Sequence, residues 1–356
     1  MRMQENFSGC RVLSYCLMSN HIHILLEVSP MQEGGLSDEE LLKRLSAIYS
    51  EPFVSQVAME LAEARQRVAE VTAESVVVTR IHERFTYRMH DLGEFMKTFL
   101  QRFTRWFNGR NGRVGVLWES RFKSVLVEEG VAASTMAAYI DLNPVRAGIT
   151  EDPAAYRWSS YGEAMGGGTQ GDGKKARAGL VRALKAHKGW QADAALWPEV
   201  CEAYRKVLTE RGEQKSANVV QSGSPSAIKI VRQGSKPGHT PAETQESKSP
   251  PLDPVASVNL VRFPELLERR VRYFSDGAVI GTRLFVDEVF MKCRDRFSSQ
   301  RKTGARKLRD FKHRHADPAH ILWSARDLQK NLPPPPGGCG MPRLATTKPS
   351  PYANRP

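Results

Sequence analysis

Two histidines one residue apart, His21 and His23, lie in the segment SNHIHILLE. In a β-strand, residues i and i+2 point to the same face and lie about 6.6 Å apart along the backbone. Two imidazoles placed in this way can bind one divalent metal ion, and such an ion can polarise a phosphoryl oxygen. Ile22 would then anchor the opposite face of the strand. A histidine pair that binds no metal is the alternative, because this pattern is common.

A second candidate is Tyr139, in the segment AAYIDLNPVRAG. A tyrosine hydroxyl has a pKa of about 10, so it attacks a phosphodiester only when a neighbour activates it or the phosphate is polarised. The attack would leave a phosphotyrosine, from which a second hydroxyl can reseal the strand. Asn143 lies one helical turn further on, and its amide oxygen could complete the metal site. Pro144 disfavours a helical conformation at Asn143, and an ordinary tyrosine on an amphipathic helix is the alternative.

Basic and aromatic residues are interleaved between these two signals. Arg105 and Arg113 lie in FLQRFTRWFNGRNGR, and Trp118, Arg121 and Lys123 lie in WESRFK. Single-stranded nucleic acid suits such a surface, because its bases stack on aromatic rings and its phosphates pair with cations. The alternative is that the phenylalanines belong to the core and the arginines only solvate the surface.

The composition favours a polyanionic partner. The 356 residues include 52 Lys and Arg against 39 Asp and Glu, a formal net charge of +13, and cations that neutralise phosphates release bound counterions. The five cysteines form no CxxC pair, which argues against a zinc ribbon and for a reducing compartment. No segment approaches the roughly 18–20 apolar residues of a membrane span. We therefore expect a soluble, cytoplasmic protein without a membrane partner.

Two segments have the pattern of strands that could position these residues. Residues 11–28 are rich in β-branched and aromatic side chains, and they predict two short strands, or one long bent strand, with a turn near Asn20. Residues 115–129, GVLWESRFKSVLVEE, alternate between apolar and polar types and predict a further strand. The histidine pair would thus lie on a strand, and Trp118 would lie on another.

Helical periodicity covers much of the remaining chain. Residues 37–72 predict one or two exposed amphipathic helices. A helix is predicted over residues 91–108, with Asp91 as its N-cap and glycines at its end. A second helix is predicted over roughly 131–142, and it would carry Tyr139.

The order and wording of four segments closely resemble the REP-associated tyrosine transposases, which belong to the HUH single-tyrosine transposase class. The segments are YCLMSNHIHILLE, FMKTFLQRFTRWFN, GVLWESRFKSVLVEE and YIDLNPVRAGI. The resemblance extends over roughly residues 11–162 and includes YRWSSY at its end. It implies an α/β (α+β) fold with a central antiparallel, ferredoxin-like sheet, helices on its faces, and the tyrosine helix beside the histidine strand.

The resemblance also implies roles for individual residues. His21 and His23 would bind Mg²⁺ or Mn²⁺ with help from Asn143, and Tyr139 would be the nucleophile. Members of the class recognise hairpin-forming repeats and cleave single-stranded DNA beside them. The candidate DNA-binding residues are Arg105, Arg113, Trp118, Arg121, Lys123 and Arg146.

The sequence divides into five segments by composition and periodicity. They are a catalytic domain over 1–162, a helical extension over 163–211, a disordered linker over 212–254, a basic helical segment over 255–330 and a disordered tail over 331–356. The fourth segment is similar to a helix-turn-helix, with Thr282 as the N-cap of its second helix. A basic, exposed pair of helices without a partner is the alternative. Only ten residues precede Arg11, where the family has a further strand, so the sheet is expected to be incomplete or exposed at one edge.

Three functions remain open at this point. The first is a transposase or nickase that cleaves single-stranded DNA next to hairpins, as a monomer or homodimer. The second is a truncated, inactive copy that binds hairpin DNA without cleaving it, which the short N-terminus favours. The third is a metal-dependent nuclease without a covalent intermediate, in which Tyr139 would be dispensable. General RNA binding is disfavoured, because no RRM or KH pattern is present.

Overall fold

A computed structural model of the chain describes residues 1–68, 75–166, 173–185, 196–208, 274, 278–307 and 322–325. Over these residues the fold is mixed α/β, with helices in the majority. None of the described helices combines the length and the apolar character needed to cross a bilayer. The predicted disordered linker over 212–254 and tail over 331–356 lie outside the described residues.

A β-hairpin carries the histidine pair. Strands β1 (Cys10–Leu17) and β2 (Ile22–Val28) are antiparallel, with Leu17 opposite Ile22. The turn between them closes with a hydrogen bond from the Met18 amide to the His21 carbonyl oxygen at 2.9 Å. The two strands predicted over residues 11–28, with a turn near Asn20, are therefore confirmed.

The outer edge of β1 is closed by side chains and a loop. Helix α1 (Arg2–Ser8) precedes the strand, and Glu5 accepts a hydrogen bond from the Val12 amide at 2.8 Å. The Leu17 amide donates to the Trp158 carbonyl oxygen at 2.9 Å. The described residues thus form a two-stranded sheet here, and not the central multi-stranded sheet that the resemblance implies. The exposed edge is avoided because other groups satisfy the edge amides.

Three helices after β2 form a bundle with its own core. They are α2 (Asp38–Ser46), α3 (Glu51–Val68) and α4 (Ser75–Thr86). Phe7 of α1 packs into the same cluster of buried side chains. The amphipathic helices predicted over 37–72 are confirmed. Helix α4 was not predicted; its VVV run consists of β-branched residues, and packing against the bundle overrides their weak helix propensity.

Helix α5 (Leu92–Arg110) begins as predicted, because the Asp91 side chain accepts a hydrogen bond from the Glu94 amide at 2.7 Å. The strand predicted over 115–129 is wrong except for β3 (Leu126–Val127). Val114 and Val116 are 94% and 84% exposed. The alternating pattern alone does not make a strand, because a lone strand leaves its backbone groups without partners.

The helix predicted over 131–142 is confirmed as α6 (Val131–Asp141), and α7 (Asn143–Arg146) follows it directly. A 3₁₀ turn at Pro153–Ala155 leads into α8 (Ser160–Gly166). Two more helices are α9 (Gly173–Lys185) and α10, over residues 197–208. They pack with α6 and β1 around the largest hydrophobic cluster. Helices of the predicted extension therefore share a core with the predicted catalytic domain.

The described C-terminal residues form a second small sheet. Strand β4 (Val279–Gly281) pairs in parallel with β3 and antiparallel with β6 (Trp323–Ala325), which also pairs with β5 (Arg306–Lys307). Between β4 and β5 lie α11 (Arg283–Lys292) and a 3₁₀ turn.

The predicted helix-turn-helix is corrected by this arrangement. Thr282 is the N-cap of α11, as predicted, and accepts a hydrogen bond from the Phe285 amide. A strand, however, precedes that helix where a turn was expected, and the predicted first helix lies outside the described residues except for Phe274. Val279 and Ile280 of this strand pair with Leu126 and Val127, which lie far away in sequence, so no local pattern reveals the pairing.

Candidate active site

The hairpin brings the two imidazoles into contact. His21 immediately precedes β2 and His23 lies within it; their ring centroids are 4.9 Å apart and their planes are nearly perpendicular, at 86°. The amide oxygen of Asn20 lies 2.7 Å from Nδ1 of His21. An amide oxygen can only accept, so this contact places the hydrogen on Nδ1. The lone pair on Nε2 of His21 is then the one that can bind a metal.

Both histidines are neutral at physiological pH. Burial, together with the nearby His21 and Arg146, lowers the pKa of His23 to about 4. Burial also lowers the pKa of His21. A metal ligand must be unprotonated, so neither imidazole has to lose a proton before it binds a cation.

Tyr139 lies beside this pair. It belongs to α6, and its ring centroid is 5.9 Å from that of His23, with an interplanar angle of 78°. The side chain is buried, with 6% of its surface exposed. Packing of α6 against the hairpin therefore brings together three residues that the sequence singled out: His21, His23 and Tyr139.

Two further side chains enclose the tyrosine ring. The Arg146 guanidinium of α7 lies 4.5 Å from the ring centroid. Phe274, from the C-terminal part of the chain, packs against the ring, with 4.4 Å between the ring centroids and 36° between the ring planes. A guanidinium at this distance stabilises negative charge that develops on a phenol oxygen or on a neighbouring phosphate. Arg146 and Phe274 thus cover much of the Tyr139 ring.

The side chain of Asn143, predicted above as a metal ligand, also has a structural role. Its side-chain nitrogen donates to the backbone oxygens of Tyr139 at 3.0 Å and Ile140 at 3.3 Å. The side chain thus caps α6 at the residue where α7 begins. Pro144 is tolerated there because the first turn of a helix does not need its N–H. Only the amide oxygen of Asn143 can serve as a metal ligand.

The donors around His21 and His23 fit a weakly held divalent cation. No group of three or more His, Cys, Asp or Glu side chains converges anywhere in the described part of the chain. A site made of these two imidazoles and the Asn143 oxygen is therefore neutral. Mg²⁺ and Mn²⁺ favour oxygen ligands and retain water, so phosphate oxygens of a substrate would have to complete the shell.

The predicted DNA-binding residues fall into two groups. Arg146 contacts Tyr139, as described above. The others lie on α5 or on the loop after it: Arg105, Arg113, Trp118, Arg121 and Lys123. Residues 102–123 contain six Arg and Lys and one Glu, a net charge of +5. Trp118 itself packs on α5, where its indole nitrogen donates to Thr104 at 3.0 Å.

Sequence reasoning missed two residues next to the tyrosine. Phe274 belongs to a segment with no sequence pattern that links it to α6. Asp141 is fully buried and accepts hydrogen bonds from the Tyr161 amide at 3.0 Å and the Tyr204 hydroxyl at 2.8 Å. Burial raises the pKa of its carboxyl to about 7. Asp141 is the one carboxylate in the otherwise apolar run AAYIDL, and this feature of the sequence could have predicted a buried side chain held by hydrogen bonds.

The comparisons with known proteins identify no family for the chain. No protein-family model, no curated protein and no solved structure matches the chain. The class of protein is therefore argued from the sequence motifs and from the geometry of His21, His23 and Tyr139.

Proposed function

We propose that the chain is a metal-assisted single-tyrosine DNA transposase or nickase of the HUH class. It would cleave and rejoin single-stranded DNA next to hairpin repeats, as a cytoplasmic monomer or homodimer. One observation carries the proposal: the His23 ring lies between its two partners in contact, with its centroid 4.9 Å from that of His21 and 5.9 Å from that of Tyr139. The resemblance of four ordered segments to REP-associated tyrosine transposases supports it independently.

In the proposed reaction, Tyr139 forms one bond to phosphorus while one bond of the phosphodiester breaks. Its hydroxyl oxygen attacks the phosphorus of a phosphodiester, and the bond from phosphorus to the 3′ oxygen breaks. The tyrosine proton is lost and the departing 3′ oxygen gains one, so the charge balances. One DNA end leaves as a 3′ hydroxyl and the other stays as a 5′-phosphotyrosine. Attack by a 3′ hydroxyl on that linkage reverses the step and releases the tyrosine.

The neighbouring residues would prepare this attack. His21, His23 and the Asn143 oxygen would hold Mg²⁺ or Mn²⁺, which supplies Lewis-acid polarisation of a phosphoryl oxygen when bound. Asn20 fixes the His21 ring, and burial keeps His23 neutral. Arg146 lies over the Tyr139 ring, where its charge favours the phenolate and the transferring phosphate.

The basic surface would bind the DNA strand. The end of α5 and the following loop carry a net charge of +5 over residues 102–123, with Phe122 and Trp106 exposed. Cations neutralise phosphates, and exposed rings stack on bases. We assign Arg105, Arg113, Arg121 and Lys123 to this surface. Trp118 supports it by packing on α5.

One observation favours a second function, hairpin binding without cleavage. Tyr139 is 6% exposed, and the Phe274 ring packs against its ring with 4.4 Å between the centroids. A chain in which this cover never opens would bind DNA through its basic surface and leave it intact.

Adduct formation separates these functions. The protein is incubated with labelled single-stranded hairpin oligonucleotides and Mg²⁺ or Mn²⁺, and covalent adducts are resolved on a denaturing gel. We expect an adduct that is lost in Tyr139→Phe and in the double variant His21→Ala/His23→Ala. Tyr87→Phe is the matched control, because Tyr87 is 65% exposed and lies at the end of α4. Cleavage that survives Tyr139→Phe would indicate a hydrolytic nuclease, and binding without cleavage would indicate a binding module.

A further inference from the structure

A cleft of about 460 Å³ lies in the described C-terminal residues, between α11 and β6. Its helical wall consists of four side chains from one face of α11: Arg283, Asp287, Phe290 and Met291. Trp323 of β6 and the loop over residues 302–305 form the other walls. A volume of this size is within the range of clefts that bind small organic ligands.

The loop over residues 302–305 is held firmly against α11. Arg301 is 8% exposed, and its guanidinium donates to the carbonyl oxygens of Thr303 at 3.0 Å and Gly304 at 2.7 Å. The Ala305 amide donates to the Asp287 carboxylate at 2.8 Å. A Cβ added at Gly304 would overlap a side chain of α11. A wall fixed in this way loses little conformational entropy when a ligand binds.

The walls of the cleft combine an apolar surface with positive charge. Three side chains supply the apolar part: Phe290, Met291 and Trp323. Arg283 and Lys302 supply the cations, and the Arg283 guanidinium lies 5.5 Å from the Trp323 ring centroid. Asp287 is the one carboxylate among the lining residues, and it lies 3.6 Å from Arg283. Two cations and one carboxylate leave a net charge of +1, which complements a single phosphate.

An unpaired nucleotide of DNA contains both of the parts that these walls fit. Its base has two apolar faces that stack on aromatic side chains, and its phosphate pairs with cations. A paired base keeps both of its faces inside the duplex stack. A duplex would therefore present only phosphates to the cleft and leave the apolar wall unused, so the cleft favours a single strand.

We propose that this cleft binds one unpaired nucleotide of a DNA strand. The base would lie against the apolar wall, and the phosphate would pair with Arg283 and Lys302. The site rests on the proposed function, and it adds a binding position that the basic surface at the end of α5 does not supply. Thr282, the N-cap of α11, donates from its hydroxyl to Glu128 at 3.0 Å, which ties the helical wall to the segment that leads into α6.

Binding of a single strand by a charge-matched pair of variants tests the cleft. The cleft variant is Arg283→Ala/Lys302→Ala, and the control is Lys292→Ala/Arg296→Ala. Lys292 matches Arg283 because both lie on α11, are 70–71% exposed and pair with a carboxylate one turn away, but neither Lys292 nor Arg296 lines the cleft. All variants carry Tyr139→Phe and are studied without metal, so binding does not depend on cleavage.

Anisotropy of a fluorescein-labelled hairpin oligonucleotide with a single-stranded flank measures the affinity. We expect the cleft variant to bind about fivefold more weakly at about 0.1 M salt, and its plot of log K against log salt to lose about 0.7 in slope, which is the value for one phosphate on a single strand. The control should bind as the Tyr139→Phe parent does. A fully paired duplex should bind the cleft variant and the parent equally.

Crosslinking locates the nucleotide on the unsubstituted side chains. Oligonucleotides with 5-iodouracil at one flank position at a time are irradiated with the Tyr139→Phe protein, and the crosslinked tryptic peptides are sequenced by mass spectrometry. We expect crosslinks in the peptide of residues 284–292 or in the peptide that contains Trp323. Crosslinks confined to other peptides, equal losses of affinity in the cleft variant and its control, or no binding of the oligonucleotide would overturn the cleft site.

Failure of the cleft site is distinct from failure of the cleavage proposal. If the cleft peptides are crosslinked but the Tyr139 protein forms no adduct, the cleft site stands and cleavage fails. If adducts form but the cleft peptides are never crosslinked, cleavage stands and the cleft site fails.

Discussion

At the residue scale, the proposed tyrosine chemistry depends on a cation next to the ring. The Arg146 guanidinium lies 4.5 Å from the Tyr139 ring centroid. In the proposed reaction its charge would favour the developing phenolate and the transferring phosphate more than the neutral phenol, so it would act mainly in the transition state. This distinguishes Arg146 from the arginines of α5, which would contribute to DNA affinity.

Arg146→Ala is therefore expected to slow the single-turnover rate of adduct formation about 100-fold. Arg146→Lys should recover part of the rate, since lysine keeps the charge but not the flat guanidinium. Arg105→Ala is the matched control and should change the apparent DNA affinity more than the rate at saturating DNA. Equal effects of the two alanine variants on the saturated rate would contradict the role of Arg146.

Asp141 anchors the tyrosine helix from within the core. Burial raises the pKa of its carboxyl to about 7, although Tyr161 and Tyr204 donate hydrogen bonds to it. A raised carboxyl pKa means that the folded state binds the proton more tightly than the unfolded state. The stabilisation is complete below the unfolded pKa of about 3.9 and is lost as the pH rises through about 7.

The prediction compares the unfolding free energy of Asp141→Asn with that of the unsubstituted protein. The difference in unfolding free energy between the two should shift in favour of the asparagine variant from about pH 4 to 7, by about 1.4 kcal/mol per pH unit at most. Urea unfolding in EDTA at several pH values measures it. The contribution of His23 to stability has the opposite pH dependence. Its lowered pKa destabilises the folded state as the pH falls from about 6.5 to 4. A difference independent of pH would contradict the assignment to Asp141.

At the element scale, the site depends on the contact between β1 and the helices behind it. Gly179 of α9 lies against the backbone of β1; a Cβ there would be 2.5 Å from the Val12 oxygen and 2.8 Å from the Leu13 oxygen. Both neighbours are backbone atoms, so neither can move away alone. The absence of a side chain at this position is what allows the close packing of helix on strand.

Gly179→Ala should therefore lower the free energy of unfolding by about 1–3 kcal/mol, because α9 must move away from β1. Gly109→Ala is the matched control: Gly109 lies in helix α5, and a Cβ added there would meet no atom within 4 Å. Alanine at that position should be neutral or stabilising by up to about 1 kcal/mol. Chemical denaturation measures both. A Gly179→Ala protein as stable as the parent would show that this contact is looser than described.

Sequence patterns predicted the elements whose partners are local. The hairpin over 11–28 has its turn within itself, and α5 has the cap Asp91 at its start, so both were predictable. The alternating segment 115–129 failed because its strand pattern found partners only at Leu126 and Val127. Those partners are Val279 and Ile280, and no sequence signal marks such a distant pairing.

The candidate site was predictable to the same extent. The pattern His21, His23 and the spacing from Tyr139 to Asn143 were visible in the sequence. The cover by Phe274 and the anchoring of Asp141 by Tyr204 were not, because each depends on distant segments that pack against α6.

At the scale of the whole molecule, distant segments converge on the tyrosine helix. Side chains from β1, α6, α9 and α10 share one hydrophobic cluster with Phe274 and Ile280. Glu128, just after β3, accepts hydrogen bonds from the Thr282 amide and hydroxyl, at 2.5 and 3.0 Å. The described C-terminal residues thus pack against the candidate site, and Phe274 is the residue whose ring covers Tyr139.

Phe274→Ala should have two opposite effects. Loss of the ring exposes Tyr139 and should raise the initial rate of adduct formation several-fold if opening of the cover limits the reaction. It also removes a buried aromatic, so the free energy of unfolding should fall by about 3–5 kcal/mol. Adduct time courses and thermal unfolding on the same preparations measure both. A slower reaction from a protein that remains folded would show that Phe274 assists the attack and does not obstruct it.

The central claim is that Tyr139 becomes covalently attached to DNA. The most direct measurement is tandem mass spectrometry of the proteolysed adduct formed with a hairpin oligonucleotide and Mn²⁺. We expect a nucleotide phosphate on Tyr139 in the peptide spanning α6, and no modified peptide from Tyr139→Phe. A nucleotide phosphate on any other residue, or cleaved DNA with no modified peptide, would contradict it.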